Sequence, residues 1–521
     1  TDLPSLPLML SIQRGTMVVV WLATILSLQL LSSDAFSPPS SLSWPHAPTR
    51  GYLRVTHEND KVRSSILFAK SKATEGGVKN NTDKDSTYTV QILMSDTGGG
   101  HRASANALRD ALDTLYPGKF ECDIVDIYTD YGPFWPFNGV VAGYKLMAKY
   151  SWMWDLFYRY GETEFGLWMQ DLLLSLFCYE PFKNCLARPS GSTNERANMV
   201  ISVHPLCQDL PLKVLKDLDG GNTRTTPFIT VVTDLGGAHK TWFNPGVDKC
   251  FVPSDVLNKK AQSRGLEPSQ IIQYGLPIRK GFWLTNEAPQ SEKKQRIPFF
   301  GRVQSEDGKS SPSSSTNDNV ALRQKLGLDS DLPTCLVVGG GDGMGGIVDI
   351  SVALGTKLGG TSSKKQMVVV CGNNQQAREK LENMDWGSGV EVNVQGFVNN
   401  MEEYMKAADC LVTKAGPGTI AEASICGLPC MLFAYLPGQE EGNVPFVEDS
   451  GFGKYSSNPQ VIADTVCSWL ESPETMEAMK DAALAAARPS ATLDIAKDLA
   501  EIAFSTRREQ YSEEKVLVSV R

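Results

Sequence analysis

The chain has 521 residues, 41% of them hydrophobic, with 50 Lys and Arg against 59 Asp and Glu for a net charge of -9. That length predicts roughly two to four domains with a core of ordinary size, and the acidic balance argues against a nucleic-acid partner because no basic surplus is available for counterion release. The 11 cysteines are odd in number and include no CxxC pair, which fits reduced thiols better than a disulfide framework.

Residues 1–86 read as a targeting presequence. Met17 opens MVVVWLATILSLQLLSSDAFSPPSS, an apolar run that is short for a spanning helix and ends in small residues, the profile of a signal peptide over about 17–35. The sixteen residues before Met17 are expected to be upstream of the true start. Residues 36–86 are rich in Ser, Pro, Thr, Lys and Arg, like a transit peptide. The two parts together resemble the bipartite presequence of algae whose plastids lie inside extra membranes, and this implies a plastid destination, at an envelope or thylakoid membrane; the alternative reading is a secreted protein or a single membrane anchor.

From Tyr88 the pattern is strand (TVQILMS), helix (102–115), strand (ECDIVDIY), a long aromatic-rich segment, strand (NMVISVH) and strand (PFITVVTDL), closed by IIQYGLPIRKGFW at 271–283. Strands alternating with helices predict a parallel sheet covered on both faces, hence an α/β domain over 87–284. Residues 285–331, with few large apolar groups, read as a linker or insertion. A second series over 332–490 runs through TCLVVGGG, QMVVVCG, VEVNVQGF, DCLVTK and PCMLFAY with helices between, predicting a second Rossmann-like domain. A helix near 491–505, in the 491–521 tail, is expected to pack back on the first half.

Two glycine-rich turns, SDTGGGHRAS at 95–104 and VVGGGDGMGG at 337–346, each follow a β-branched run and open a helix. Free N–H groups and a positive dipole end make such junctions suited to negative charge. Neither turn supplies the Gly-Lys-Ser/Thr of a P-loop. A dinucleotide site would want an acidic residue where QMVVVCGNN ends in Asn373 and Asn374. The carboxylate is elsewhere: DCLVTKAGPGTIAEAS at 409–424 places Gly418 and Thr419 at a helix start, for phosphate, and Glu422 one turn inside, for a ribose diol.

Three segments, SDTGGGHRAS, TDLGGAHKTWFNPGVDKCFVPS and KAGPGTIAEASICGLPCMLFAYLPGQEEGN, closely resemble the monogalactosyldiacylglycerol synthase family in order and content, over about residues 88–505. The resemblance implies a GT-B fold, two Rossmann-like domains facing across a cleft, as in the related glycosyltransferase of the peptidoglycan lipid precursor. It also implies transfer of galactose from UDP-galactose to 1,2-diacylglycerol with inversion, with no tightly bound cofactor and no metal. Alternatives within it are another donor or acceptor, or a catalytically silent lipid-binding homologue.

The resemblance makes His101 the base that takes the acceptor proton, with Asp234 and His239 orienting it or the acceptor. Arg279, Gly340, Gly341, Met344 and Gly345 are expected at the diphosphate, and Gly396, Phe397 and Val398 at the uracil edge. Lys414, Gly416, Pro417, Gly418, Thr419 and Glu422 continue the nucleotide wall, and Gln439, Glu440, Glu441, Gly442 and Asn443 form the sugar loop. The segment from Tyr131 to Phe182 holds Trp135, Trp152, Trp154 and Trp168 among basic residues, a composition suited to a bilayer headgroup region. It is read as a monotopic membrane-docking region, with Trp135, Pro136, Trp152 and Trp154 meeting lipid and Pro136 matching the family's anionic-lipid contact. Homodimerisation is left open.

Overall fold

The computed structural model describes residues 87–191, 195–221, 223–283, 315–340 and 346–520. Asp85–Arg521 form one compact unit; the expected presequence and most of the expected linker lie outside the described residues.

Six strands, β1 (Tyr88–Met94), β2 (Phe120–Asp126), β3 (Met199–Ser202), β4 (Phe228–Val231), β5 (Lys249–Val252) and β6 (Ile271–Gln273), form an all-parallel sheet in the order β2-β1-β3-β4-β5-β6. Ile92 pairs with Ile124 on one side and Ile201 on the other, so the apolar runs stack at the sheet centre. A second parallel sheet holds β7 (Thr334–Val338), β8 (Lys365–Val370), β9 (Val390–Gln395), β10 (Cys410–Lys414), β11 (Cys430–Ala434) and β12 (Gly453–Tyr455) in the order β12-β11-β10-β7-β8-β9. Every residue of β7 and β8 is buried, which suits strands covered by helices on both faces and explains the apolar runs Cys335–Val338 and Met367–Val370. In each sheet the first strand has later strands on both sides. The resulting switch points, β1/β3 and β7/β10, are where such sheets open a crevice at the carboxyl ends of their strands.

The helices that position the site are α1 (Gly100–Leu115), α2 (Val140–Lys149), α3 (Ser151–Gly161), α4 (Glu164–Phe177), α5 (Tyr179–Ala187), α6 (Asp255–Ser263), α7 (Ser315–Lys325), α8 (Ile347–Gly359), α9 (Met401–Ala407), α10 (Pro417–Ile425) and α11 (Ala491–Val520). The aromatic-rich segment is thus largely helical. Helix α11 packs on α1, where small residues on both (Ala105, Ala111, Ala496, Ala500) are fully buried and let the two backbones approach. Thr492 Oγ1 accepts from the Ile278 amide at 2.9 Å, and Tyr274 donates to Asp498 at 3.0 Å, tying the tail to the first half.

The segment expected as linker is structured near its end. Helix α7 has no apolar stripe to advertise it, but Arg323 is buried and anchors it. Its guanidinium donates to the carbonyls of Ala407, Ser330 and Leu332 and grips both carboxylate oxygens of Asp409, at 3.0 and 2.9 Å. Asp409 also accepts from the Thr334 amide at the start of β7. Residues 315–331 therefore belong to the second domain. Truncating one member of such a network strands the others, so Arg323→Ala is expected to lower stability by about 3 kcal/mol in equilibrium urea unfolding; a loss below about 1 kcal/mol contradicts the anchoring role.

Candidate active site

Strand β1 ends at Met94 and the chain turns into α1 through Gly98 and Gly99, at φ +81° and +76°. That left-handed backbone suits glycine, and it leaves the helix start with no side-chain cap and no acidic residue in its first turn. His101 sits in that first turn, buried, with Nδ1 2.9 Å from the Val203 carbonyl and 2.9 Å from Thr233 Oγ1. A carbonyl only accepts, so Nδ1 carries the proton and Nε2 carries the lone pair. His204, packed edge-on at 4.5 Å, is held in the opposite tautomer: its Nδ1 accepts from the Leu206 amide and its Nε2 faces Thr97 Oγ1. The ends of β1, β3 and β4 thus converge on one imidazole.

Asp234 and His239, expected to orient His101 or the acceptor, are themselves held by other groups. Asp234 accepts from Trp242 Nε1 at 2.6 Å, and the Trp242 ring lies 6.1 Å from the His101 ring, centroid to centroid. His239 is turned toward α3, its ring edge-on to Tyr158 at 5.0 Å and its Nε2 3.7 Å from Glu162. The groups that fix His101 are Val203 and Thr233. Thr233 immediately precedes Asp234 in the quoted TDLGG segment, yet a threonine at a strand end carries no sequence mark of that role.

On the second sheet, the turn after β7 includes Gly340 at φ +74°, beside the Lys414 stem, and ends in Gly346, the N-cap of α8. Gly341, Met344 and Gly345 lie outside the described residues. The adjacent β10 delivers Gly416 as N-cap of α10, with Pro417, Gly418 and Thr419 in its first turn. Nothing lies within 4 Å of a Cβ built on Gly418, so the space over that helix start is open. Gly396, Phe397 and Val398 follow β9 at the sheet edge, and the Phe397 ring is 62% exposed. Arg279 and Glu422, expected at diphosphate and ribose, grip each other: Arg279 Nε lies 2.6 Å from Glu422 Oε1, with a second bond from Nη2. Glu422 is almost fully buried on α10, and a carboxylate there needs a counter-charge. Arg279 comes from the first domain and supplies it.

The two domains meet at Gly236 and Gly442. A Cβ on either would overlap the backbone of the other, so both must be glycine for the approach to occur. Asn443 Oδ1 accepts from the Gly236 amide at 2.7 Å and its Nδ2 donates to the Ala415 carbonyl at 2.8 Å; the side chain is wholly buried. It fastens the domains together instead of offering its amide to a sugar. Glu440 is likewise engaged, with Lys414 and with the Leu436 amide. Gln439 Oε1 is buried with no hydrogen-bond partner. A cavity of about 380 Å³ opens beside this loop, lined by Tyr158, Arg159, Glu162, Lys260 and Glu441 and by the 237–238 and 438 backbone.

Trp152 and Trp154 part company. Trp152 is 69% exposed, whereas Trp154 is 9% exposed and donates from Nε1 to the Pro437 carbonyl at 3.1 Å. The expectation that Trp154 meets lipid is therefore corrected; spacing from Trp154 to Tyr158 and Gly161, i, i+4, i+7, marks the inward stripe of α3. Trp135 is 38% exposed and precedes Pro136 at the start of the same aromatic region. Among the described residues no group of three or more His, Cys, Asp or Glu is placed to hold a metal ion.

Two family models match the chain: one described as monogalactosyldiacylglycerol (MGDG) synthase over residues 101–278, and the glycosyltransferase family 28 C-terminal domain over residues 334–495. Monogalactosyldiacylglycerol synthase 1, chloroplastic, of Arabidopsis thaliana is 38% identical over 434 residues, 82% of this chain and 73% of its own. The probable monogalactosyldiacylglycerol synthase 2, chloroplastic, of Oryza sativa subsp. indica is 39% identical over 455 residues, 86% of this chain and 88% of its own. Among solved structures, Acinetobacter baumannii MurG aligns over 80% of this chain and 99% of its own at 13% identity and a TM-score of 0.45.

Burial sets the titration of the cleft. It pushes His101 down to about 4 and His204 well below the ordinary imidazole value. His239 is also pushed down to about 4 by burial, against the pull of Glu162. Asp234 is pushed up to about 7 by burial, opposed by the Trp242 bond and reinforced by the charge of Glu440. A histidine kept neutral in the fold but protonated on unfolding contributes stability above its ordinary value of 6.5, lost as pH falls through about 4. Asp234 works with the opposite sign, its stability lost as pH rises through about 7. Replacing His239 by Asn removes one of these groups, so the loss of stability between pH 7 and pH 5 is expected to shrink by about 1–2 kcal/mol in urea unfolding. An unchanged or enlarged loss contradicts the neutral buried imidazole.

Proposed function

Because the chain belongs to the monogalactosyldiacylglycerol synthase family, we propose that it transfers galactose from UDP-galactose to the free hydroxyl of 1,2-diacylglycerol, inverting the anomeric carbon and releasing UDP. His101 Nε2 takes the hydroxyl proton as the new C–O bond forms and the bond to the β-phosphate breaks. The observation that carries this is the His101 tautomer: Val203 and Thr233 occupy Nδ1 and leave a lone pair on Nε2 at the β1/β3 switch point. A value of about 4, set by burial, keeps the imidazole unprotonated at neutral pH. The negative diphosphate of a bound donor raises its basicity.

The leaving diphosphate is met by backbone N–H groups at the uncapped starts of α8 and α10, with Gly340, Gly416, Gly418 and Thr419 giving close approach. Arg279 lends positive charge from the side not taken by Glu422, and Lys414 from the far wall. Glu422, committed to Arg279, reaches a ribose hydroxyl only alongside that pair. Phe397, Gly396 and Val398 offer the base a surface at the sheet edge. Gln439 Oε1, buried and unpaired, accepts a galactose hydroxyl, with Glu441 beside the cavity for another. The first domain, residues 87–284, then holds the acceptor and the second the donor.

The acceptor arrives from a membrane surface. Among the described residues, 11 of 16 exposed large apolar side chains fall between Phe134 and Phe177, including Trp168, Leu172 and Leu176 at four-residue spacing on α4. Such a concentration marks an interaction face. This face lies on the bilayer, with Trp135, Pro136 and Trp152 toward lipid; no described helix is long and apolar enough to cross a membrane. Relatives whose names read chloroplastic support a plastid location for this reaction.

Incubating the full chain with radiolabelled UDP-galactose and vesicles carrying diacylglycerol and an anionic lipid is expected to give labelled monogalactosyl lipid. His101→Asn is expected to lower kcat about 10²–10⁴-fold while UDP affinity stays within about twofold. Retained turnover in that variant removes His101 as the base, and absence of labelled lipid with every chain tested removes the transferase reading.

A further inference from the structure

Helix α3 has two unlike faces. Its outer face carries Trp152, Leu156 and Phe157, exposed by 69%, 65% and 46%, with Arg159 beside them. Its inner face carries Trp154, Tyr158 and Gly161, and all three touch the active-site cleft. Trp154 donates to the Pro437 carbonyl at 3.1 Å across 283 residues of chain. Tyr158 lies so close beneath Gly438 that a Cβ there would overlap its ring, and Gly438 holds φ +74°. A Cβ on Gly161 would stand 3.0 Å from His239 Nε2. Pro437 and Gly438 immediately precede Gln439, Glu440 and Glu441, and the Gly438 amide donates to Glu441 at 3.1 Å. The loop that carries the sugar-facing groups therefore rests on the back of a helix whose front is apolar and exposed.

We propose that α3 couples the membrane surface to donor binding, with Trp154 and Tyr158 as positioning residues that hold the Pro437–Glu441 loop in its binding form. The proposal rests on the galactosyltransferase reading for the identity of the donor. The physical basis is that a short helix seated in lipid by Trp152, Leu156 and Phe157 loses freedom to tilt or roll, and its inner face then offers Pro437 and Gly438 a fixed support. An ordered loop presents Gln439 Oε1 without first losing conformational freedom, so the donor binds more tightly. Thermodynamic linkage requires the reverse as well: the donor strengthens vesicle binding by the same factor. Tyr158 ties α3 to the 234–242 segment of the same domain through His239, which Glu162 and Thr241 hold in place.

The test measures UDP-galactose Kd for the full chain, with and without vesicles of phosphatidylcholine and phosphatidylglycerol that lack diacylglycerol, so that no turnover intervenes. Wild type is expected to bind the donor about fivefold more tightly on vesicles, the size of effect of one hydrogen bond worth about 1 kcal/mol. Trp154→Phe keeps an aromatic ring and removes only the N–H, so it is expected to lose that tightening while its vesicle affinity in the absence of donor stays unchanged. Trp152→Ala is expected to do the reverse, with weakened vesicle binding and an unchanged donor Kd in solution. Equal tightening in wild type and Trp154→Phe, or none in wild type, overturns the coupling while leaving the transferase reading intact. Failure of wild type to bind UDP-galactose under either condition overturns the transferase reading, and the coupling with it.

Discussion

The approach of two glycine backbones, Gly236 from the first domain and Gly442 from the second, governs the rest of the structure. Neither position has room for a single carbon beyond the main chain. Around this contact the domains need polar fastening, because peptide groups brought together away from water must find partners. Asn443 supplies it in both directions, accepting from Gly236 and donating to Ala415. One carboxamide thereby joins the end of β4 to the turn before α10, and with them the two regions that must act on one substrate pair.

Charge in the cleft is balanced across the same boundary. Arg279 of the first domain neutralises Glu422 of the second, while Lys414 and Glu440 pair within the second. Burial of both acids makes unpaired carboxylates costly. A nucleotide diphosphate entering here meets a site whose cations are already held in place, so little side-chain freedom remains to be lost on binding. The imidazole of His101 is fixed in the same manner, by a carbonyl and a hydroxyl at two strand ends. The common theme is groups whose orientation is settled before any ligand arrives.

Much of this was legible in the residues. Strands β1, β7, β8 and β10 announce themselves because β-branched runs lead into glycines, and the helix starts they feed follow from the same turns. β5 and β12 do not, because Lys249–Val252 and Gly453–Tyr455 are too short to display a period. Helix α7 is hidden in a polar stretch because its anchor is the buried Arg323, and burial of an arginine depends on carbonyls far along the chain. Among site residues, glycine turns and His101 stand out by type and position. Thr233 does not, since its role comes only from where β4 ends relative to His101. Trp152 and Trp154 are chemically identical and two residues apart; helical spacing separates their faces, but only the Pro437 carbonyl reveals what the inner one touches. Asn443 looked like a sugar ligand for the same reason, its partners being 207 and 28 residues away.

The central claim is that the two domains act as one closed site, with the 234–240 and 438–444 segments forming its seam. Amide hydrogen exchange on the full chain, with and without UDP, addresses that claim directly. In this account UDP contacts the second domain and Arg279, and no residue of the 234–240 segment, yet it is predicted to slow exchange in both segments together, the Gly236 amide included, because Asn443 ties one to the other. Slowing confined to 438–444, with 234–240 unchanged, would contradict a shared seam and leave the two domains as independent binding units.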